Sequence, residues 1–234
     1  MYGGLWRNVP FEDRRDAGQK LTARLAPMRG EGVVVLALPR GGVPVGYEVA
    51  RGLGAPLDVL VVRKLGVPGH EELAMGALAS GGVRVLNDDV VSMLRITKED
   101  IEHVAAREAH EIERRERRYR GDRRMEEVRE RTVILVDDGL ATGATMRAAV
   151  RALRALGPRR IVVAVPVGAP SSCELIAREC DELVCLERPA AFYGVGQWYR
   201  DFGQTTDEEV RLLLDEAGKD HHRRHEDPGA RSVP

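Results

Sequence analysis

The chain has 234 residues, 43% of them hydrophobic, and its 36 lysines and arginines nearly cancel its 37 aspartates and glutamates to leave a formal charge of −1. That is enough apolar material for one α/β core with an appendage, and too balanced a charge for a general nucleic-acid binder. No apolar run approaches the roughly 20 residues of a membrane span, the first residues are charged where a signal peptide is apolar, and Cys173, Cys180 and Cys185 match no zinc spacing and suit a reducing compartment, so a cytoplasmic protein with no membrane contact is expected.

In chain order, a first helix is predicted over residues 13–26, with Ala17, Leu21 and Leu25 on one face. Val33-Val34-Val35-Leu36-Ala37-Leu38 reads as a buried strand, followed by the turn Pro39-Arg40-Gly41-Gly42 and an apolar helix over 43–53. A third strand is predicted over 57–62, running into Arg63-Lys64-Leu65-Gly66-Val67-Pro68-Gly69-His70, two cations at a strand end and then a Gly/Pro loop. Glu71 and Glu72 read as solvated carboxylates of that loop. A short strand over 83–86 precedes a highly charged helix over 98–120, whose Ile101, Val104, Ala105 and Ile112 form a narrow apolar stripe. Arg114, Arg115, Arg117, Arg118, Arg120, Arg123 and Arg124 invite a nucleic-acid reading, but interleaved Glu111, Glu113 and Glu116 favour a solvated, salt-bridged face.

Val133-Ile134-Leu135-Val136 is the next buried strand, and it leads into Asp137-Asp138-Gly139-Leu140-Ala141-Thr142-Gly143-Ala144-Thr145 and a helix carrying Met146, Ala149, Val150, Leu153 and Leu156. Small side chains at Ala141, Gly143 and Ala144 let a phosphate reach backbone N–H groups at a helix N-terminus, and Thr142 and Thr145 add hydroxyl donors. The acid pair just before this nest can accept hydrogen bonds from the vicinal hydroxyls of a ribose whose 5-phosphate fills it. An ordinary turn with Asp137 and Asp138 as turn formers is the plainer alternative. After a stop at Gly157-Pro158 come a strand over 161–165, a helix over 171–180 and a strand over 183–186. Aromatics then cluster between Phe192 and Phe202. The segment 218–234 is rich in His, Arg, Asp and Pro without apolar periodicity and is predicted to be a disordered tail. Its His221, His222 and His225 lack further support for a metal site. Neither Gly-x-Gly-x-x-Gly nor Gly-x-x-x-x-Gly-Lys-Ser/Thr occurs, which excludes the usual dinucleotide and P-loop sites.

The stretch 133–145 resembles the phosphoribosyl pyrophosphate (PRPP) signature of type I phosphoribosyltransferases: apolar strand, paired acids, Ala-Thr-Gly-(Gly or Ala)-Thr. The resemblance implies that Asp137 and Asp138 hold the ribose hydroxyls and that Ala141, Thr142, Gly143, Ala144 and Thr145 hold the 5-phosphate. Pro39-Arg40-Gly41-Gly42 is similar to the pyrophosphate loop of hypoxanthine-guanine enzymes, where the peptide entering the cation is cis. This maps onto the Pro39–Arg40 bond and implies pyrophosphate contacts from Arg40 and Gly41, joined by Arg63 or Lys64. Phe192, Tyr193, Trp198 and Asp201 resemble the hood that covers the acceptor, with Asp201 the candidate to help order a metal ion. The lysine that reads the exocyclic oxygen of 6-oxopurines is not evident. Packing of a lid, or a homodimer contact, is the alternative for these aromatics.

Leu-Pro-Arg-Gly-Gly, Val-Arg-Lys and Tyr-x-Asp-Phe also resemble bacterial phosphoribosyltransferase-like proteins of undefined acceptor. The implied fold is the type I phosphoribosyltransferase α/β fold: an open, mainly parallel sheet with helices on both faces and a small hood. One domain is expected over residues 1–217, with the hood from 187–214 and the charged helix 98–120 as an insertion. The implied reaction is Mg2+-dependent transfer of the 5-phosphoribosyl group of PRPP to a small nitrogenous, purine-like acceptor, with Asp138, Arg40 and Lys64 as catalytic candidates. The Mg2+ would be held mostly by PRPP oxygens. The alternative is a regulatory protein that binds PRPP or a nucleotide without turnover.

Overall fold

Runs of valine, isoleucine and leucine form strands because branched side chains fit a pleated surface that is covered on both faces. The computed structural model describes residues 10–30 and 32–226. In chain order its elements are α1 (Arg14–Leu25), β1 (Val33–Ala37), α2 (Gly42–Leu53), β2 (Leu57–Val59), β3 (Val62–Val67), β4 (His70–Ala79), β5 (Val83–Leu86), α3 (Asp88–Met93), α4 (Lys98–Arg120), β6 (Thr132–Val136), α5 (Ala144–Ala155), β7 (Arg160–Val167), α6 (Pro170–Ala177), β8 (Glu182–Glu187) and α7 (Asp207–Glu226).

Five strands form one sheet in the order β2-β1-β6-β7-β8, and every neighbouring pair is parallel. Successive strand residues face opposite sides. Val33, Val35, Ala37, Ile134 and Val136 therefore pack with α1, α2, α4 and α7 on one face. Val34, Leu36, Val133, Leu135 and Ile161 pack with α5 and α6 on the other. From β1 the chain moves outward to β2, and from β6 it moves the opposite way to β7, so β1 and β6 flank the point where the winding reverses. Ligands of open α/β sheets bind at the carboxyl ends of such a pair. Here Ala37 and Val136 are register partners, so the turns after them emerge side by side.

The strand expected over 57–62 is divided in the structure. β2 ends at Val59, and the chain re-forms as β3 in a separate antiparallel sheet of order β3-β4-β5. Arg63 and Lys64 thus lie inside a strand, and Glu71 and Glu72 belong to β4 and not to a loop. The hairpin escapes a sequence reading because its outer end stands clear of the core: residues 70–73 are all exposed, and inward packing starts only near Met75. A strand with no buried face shows no alternation.

Residues 207–214, expected in the hood, belong to α7, which packs on α2 and α4. This helix continues through Gly218 to Glu226, where the sequence suggested loss of order. Val210, Leu213, Leu214 and Ala217 are buried at helical spacing, and the rest propagates from that packed start. Residues 227–234 lie outside the described residues.

The charged helix α4 begins with a capping box, Thr97 and Asp100 each bonding the other's backbone N–H. Much of its surface is salt-bridged as expected; Arg114 and Arg115 hold the Glu111 carboxyl down at about 2. Arg120 departs from that pattern. Its side chain is buried, donating from Nε to Asp58 Oδ1 at 3.1 Å and from Nη2 to the Val59 carbonyl at 2.8 Å, which fastens α4 to the sheet edge.

Candidate functional site

The peptide between Pro39 and Arg40 is cis, and it turns the chain directly into α2. Gly41 and Gly42 are required by close approach. A Cβ on Gly41 would collide with Asp138 Oδ2, and one on Gly42 would lie 2.8 Å from the Val136 carbonyl oxygen and 2.9 Å from Asp137 Cα. The glycine turn after β1 and the acid pair after β6 therefore touch and form one cleft.

Within the acid pair, the Asp138 N–H donates to Asp137 Oδ1 at 2.9 Å. Burial, then the neighbouring Asp138 carboxylate, pushes the Asp137 carboxyl well above the ordinary 3.8. Burial also raises Asp138, with Arg14 opposing the shift. Arg14 Nε donates to Asp138 Oδ2 at 2.8 Å. Beyond the acids, the loop is open to solvent: Ala141, Thr142 and Thr145 are exposed. Gly143, at φ 74°, makes the left-handed turn that starts α5. The N–H groups of the first turn of α5 have no acceptors four residues back, and that of Ala144 meets Thr142 Oγ1 at 3.4 Å. The Ser172 hydroxyl braces the loop from behind by donating to the Ala141 carbonyl.

The cations sit on two sides. Arg40 is exposed, with Nη1 3.6 Å from Asp207 Oδ1. Asp207 also pairs with Arg118, whose Nε lies 3.0 Å from Oδ2, and accepts from the Tyr119 hydroxyl at 3.0 Å, so α4 and α7 both converge on the acid beside the glycine turn's arginine. Arg63 Nε donates to Glu108 Oε2 at 2.8 Å, while Lys64 is exposed. Arg63 and Lys64 share a surface cavity of about 390 Å³ with Arg107, Glu108 and Thr145. The sequence-predicted phosphate loop and basic pair thus border a common space.

The hood candidates are only partly brought to this cleft. Phe192 and Trp198 are half-buried against a small cluster of Phe11, Val167 and Tyr199. Tyr193 is 87% exposed. Asp201 is exposed, and its Oδ1 accepts from the Gly203 N–H at 2.9 Å. Tyr199 of the same segment meets the acid pair at its backbone: its hydroxyl donates to the Asp138 carbonyl at 2.6 Å. Phe202 stacks on Tyr199 with ring centroids 5.1 Å apart and lies beneath the Arg14 guanidinium. The segment 192–202 is stitched to residues 11–12 through Phe11 N–H to Trp198 O and Asp201 N–H to Glu12 O, and Val195 fits against Gly139, which leaves no room for a Cβ.

Arg14 and Asp207 are residues that sequence reasoning missed for the site, and Tyr199 and Phe202 lay in the aromatic window 192–202 without being assigned a role of their own. For Arg14 a signal existed: it precedes Ala17, Leu21 and Leu25 by three, seven and eleven positions and so extends their buried stripe by one turn. A cation on the buried face of a helix calls for an acid nearby. Among the described residues, no group of three or more His, Cys, Asp or Glu side chains is placed to hold a metal, and no helix is long and apolar enough to cross a membrane.

Comparison with known proteins shows what this chain is similar to. The profile of the phosphoribosyl transferase domain covers residues 15–200. Two Mycobacterium tuberculosis proteins, from strains CDC 1551 and H37Rv and each carrying the name "putative phosphoribosyl transferase", are 51% identical over 210 residues, which is 90% of this chain and 47% of theirs. The chain thus spans about half the length of these curated relatives. The crystal structure of TT1426 from Thermus thermophilus is 47% identical and superposes with a TM-score of 0.80, over 88% of this chain and 98% of that one.

Proposed function

The chain belongs to the phosphoribosyl transferase domain family, and on that premise we propose that it moves the 5-phosphoribosyl group of PRPP to a nitrogenous, purine-like acceptor and releases pyrophosphate. The observation that carries the reading is the contact between the two strand-end turns, in which only glycine at 41 and 42 lets the Arg40 loop lie on Asp137 and Asp138. One substrate can then be gripped at its sugar and at its leaving group together.

The roles follow from charge. The N–H groups from Ala141 to Thr145, with the Thr142 and Thr145 hydroxyls, take the 5-phosphate. Asp137 and Asp138 accept from the ribose hydroxyls. As the bond from carbon 1 to pyrophosphate breaks, positive charge grows on the sugar and negative charge on the leaving group. Arg40, the Gly41 N–H, Lys64 and Arg63 stabilise the latter. The acceptor nitrogen bonds to carbon 1 and sheds a proton; since Asp138 Oδ2 is engaged by Arg14, a base at this residue would act through Oδ1. The acceptor lies under the hood beside Tyr199, Phe202 and Trp198.

Magnesium, a hard cation that keeps several waters, fits this site as an ion carried by the substrate. The two acids, both pushed up by burial and Asp137 further by the neighbouring Asp138 carboxylate, would gain from a positive charge on the sugar side. Asp201, with one carboxylate oxygen taken by Gly203, retains the other for a water of that ion. The ion would supply charge neutralisation on the pyrophosphate. The test is pyrophosphate release from PRPP and Mg2+ against a panel of purines, pyrimidines and simple amines. Release with one class identifies the acceptor. PRPP binding without release across the panel supports the regulatory alternative, and no PRPP binding removes both.

A further inference from the structure

We infer that Arg14 is the positioning residue of the sugar-binding acids: it occupies one oxygen of Asp138 and leaves one free oxygen on each aspartate for the two hydroxyls of a phosphorylated pentose. The inference rests on the reading of Asp137 and Asp138 as the ribose-binding pair. It adds a member from the first helix of the chain, 124 positions from its partner.

Three contacts fix the Arg14 guanidinium. Nε donates to Asp138 Oδ2 at 2.8 Å, Nη1 donates to the Gly203 carbonyl at 2.7 Å, and its central carbon lies 4.0 Å from the centre of the Phe202 ring. The side chain keeps only 11% of its surface exposed. The Asp138 oxygen it binds is the one that lies over Gly41, where even a methyl group has no room. That oxygen is enclosed by Arg14 on one side and the glycine turn on the other. Asp137 Oδ1 is likewise occupied, by the Asp138 N–H. Among the described residues, Asp137 Oδ2 and Asp138 Oδ1 accept no hydrogen bond from any other residue. Two vicinal hydroxyls offer two donors, one for each.

Without a cation, two adjacent, half-buried carboxylates repel and tend to share a proton, which would remove an acceptor. Arg14 offsets one of the two charges and fixes the rotamer of Asp138 at the same time. Because the same guanidinium also holds the Gly203 carbonyl and stacks on Phe202, the orientation of the acid depends on the hood being docked. Lysine cannot replace it fully, since a point charge on a flexible stem does not make the two directed bonds together.

The experiment measures binding of two probes to the full chain: ribose 5-phosphate, which reports on the acids and the phosphate loop, and inorganic pyrophosphate, which reports on the Arg40 loop. Arg14→Gln should weaken ribose 5-phosphate by about tenfold, equivalent to about 1.4 kcal/mol, and leave pyrophosphate within about twofold. In the Asp138→Asn background, Arg14→Gln should add less than about twofold, because it acts through the lost carboxylate. A purely structural role would lower both affinities and persist in that background, and either result overturns the inference. If Arg14→Gln does not fold, Arg14→Lys carries the test: an intermediate loss for ribose 5-phosphate alone supports the inference, and unchanged affinity overturns it. Asp137→Asn separates the two levels. If it too leaves ribose 5-phosphate binding unchanged, the sugar assignment itself falls and the inference with it; if it weakens binding while Arg14→Gln does not, only the inference falls.

Discussion

The two ends of the cleft are held by different physics. On the sheet side, the turns after β1 and β6 are neighbours because their strands are register partners, and their contact is made by backbone and glycine. On the outer side, the hood, α4 and α7 are fastened by long charged side chains: Arg14 to Asp138, Arg40 and Arg118 to Asp207, Arg120 to Asp58. On the proposed reading, the sheet side is the rigid cradle for the groups common to any phosphoribosyl donor. The outer side mixes exposed ion pairs at Asp207 with the buried pairs Arg14–Asp138 and Arg120–Asp58, and on the proposed reading it is the side that faces the acceptor.

Four substitutions sharpen that contrast, and the largest effect is expected on the outer side. Arg120→Leu leaves the buried Asp58 carboxylate without its cation and should cost about 3 to 5 kcal/mol, read as a lower urea midpoint; Asp58 retains bonds from the Val59 and Glu126 N–H groups, so the fold should survive at low denaturant. A loss under about 1 kcal/mol would mean that α4 is held by its apolar stripe alone.

On the sheet side, Gly42→Ala sets a methyl group against backbone atoms of Val136 and Asp137 that cannot rotate away. It should cost about 1 to 3 kcal/mol and abolish detectable PRPP binding in titration calorimetry. Binding at the native level would show that the two turns do not form one site.

The Asp137 carboxyl is raised above 3.8 by burial and by Asp138. A raised acid contributes stability that is complete below its unfolded value and is lost as pH rises through the folded value. Asp137→Asn removes that dependence, so the variant should gain in melting temperature over the native chain at pH 7 and lose this advantage by about pH 4. An advantage independent of pH would place the cause in packing. The smallest effect is expected from Glu12→Gln, which breaks the exposed pair with Arg200 at 2.9 Å and should change stability by less than about 1 kcal/mol. A larger change would mean that this edge of the hood is more rigid than its exposure suggests.

Legibility in the sequence follows the same division. The stretch 133–145 and Pro39-Arg40-Gly41-Gly42 could be read directly because each is a local pattern, an apolar run followed by small residues, with its chemistry carried by neighbours in the chain. The β3–β4 hairpin could not, because Glu71, Glu72 and Leu73 have no buried face to impose a period. Tyr193 invited a stacking role by its ring, yet it is exposed, while Tyr199 of the same segment bonds the Asp138 carbonyl and Phe202 meets Arg14.

From the sequence alone came the strand-and-helix alternation, the two small-residue turns and the acid pair, since hydrophobic period and side-chain size act over a few residues. Only the tertiary structure decided that β1 and β6 lie together, that Arg14 meets Asp138 and that Asp207 pairs with Arg40. Those pairings join residues 124 and 167 positions apart, and a charge carries no mark in the sequence of which opposite charge it will meet.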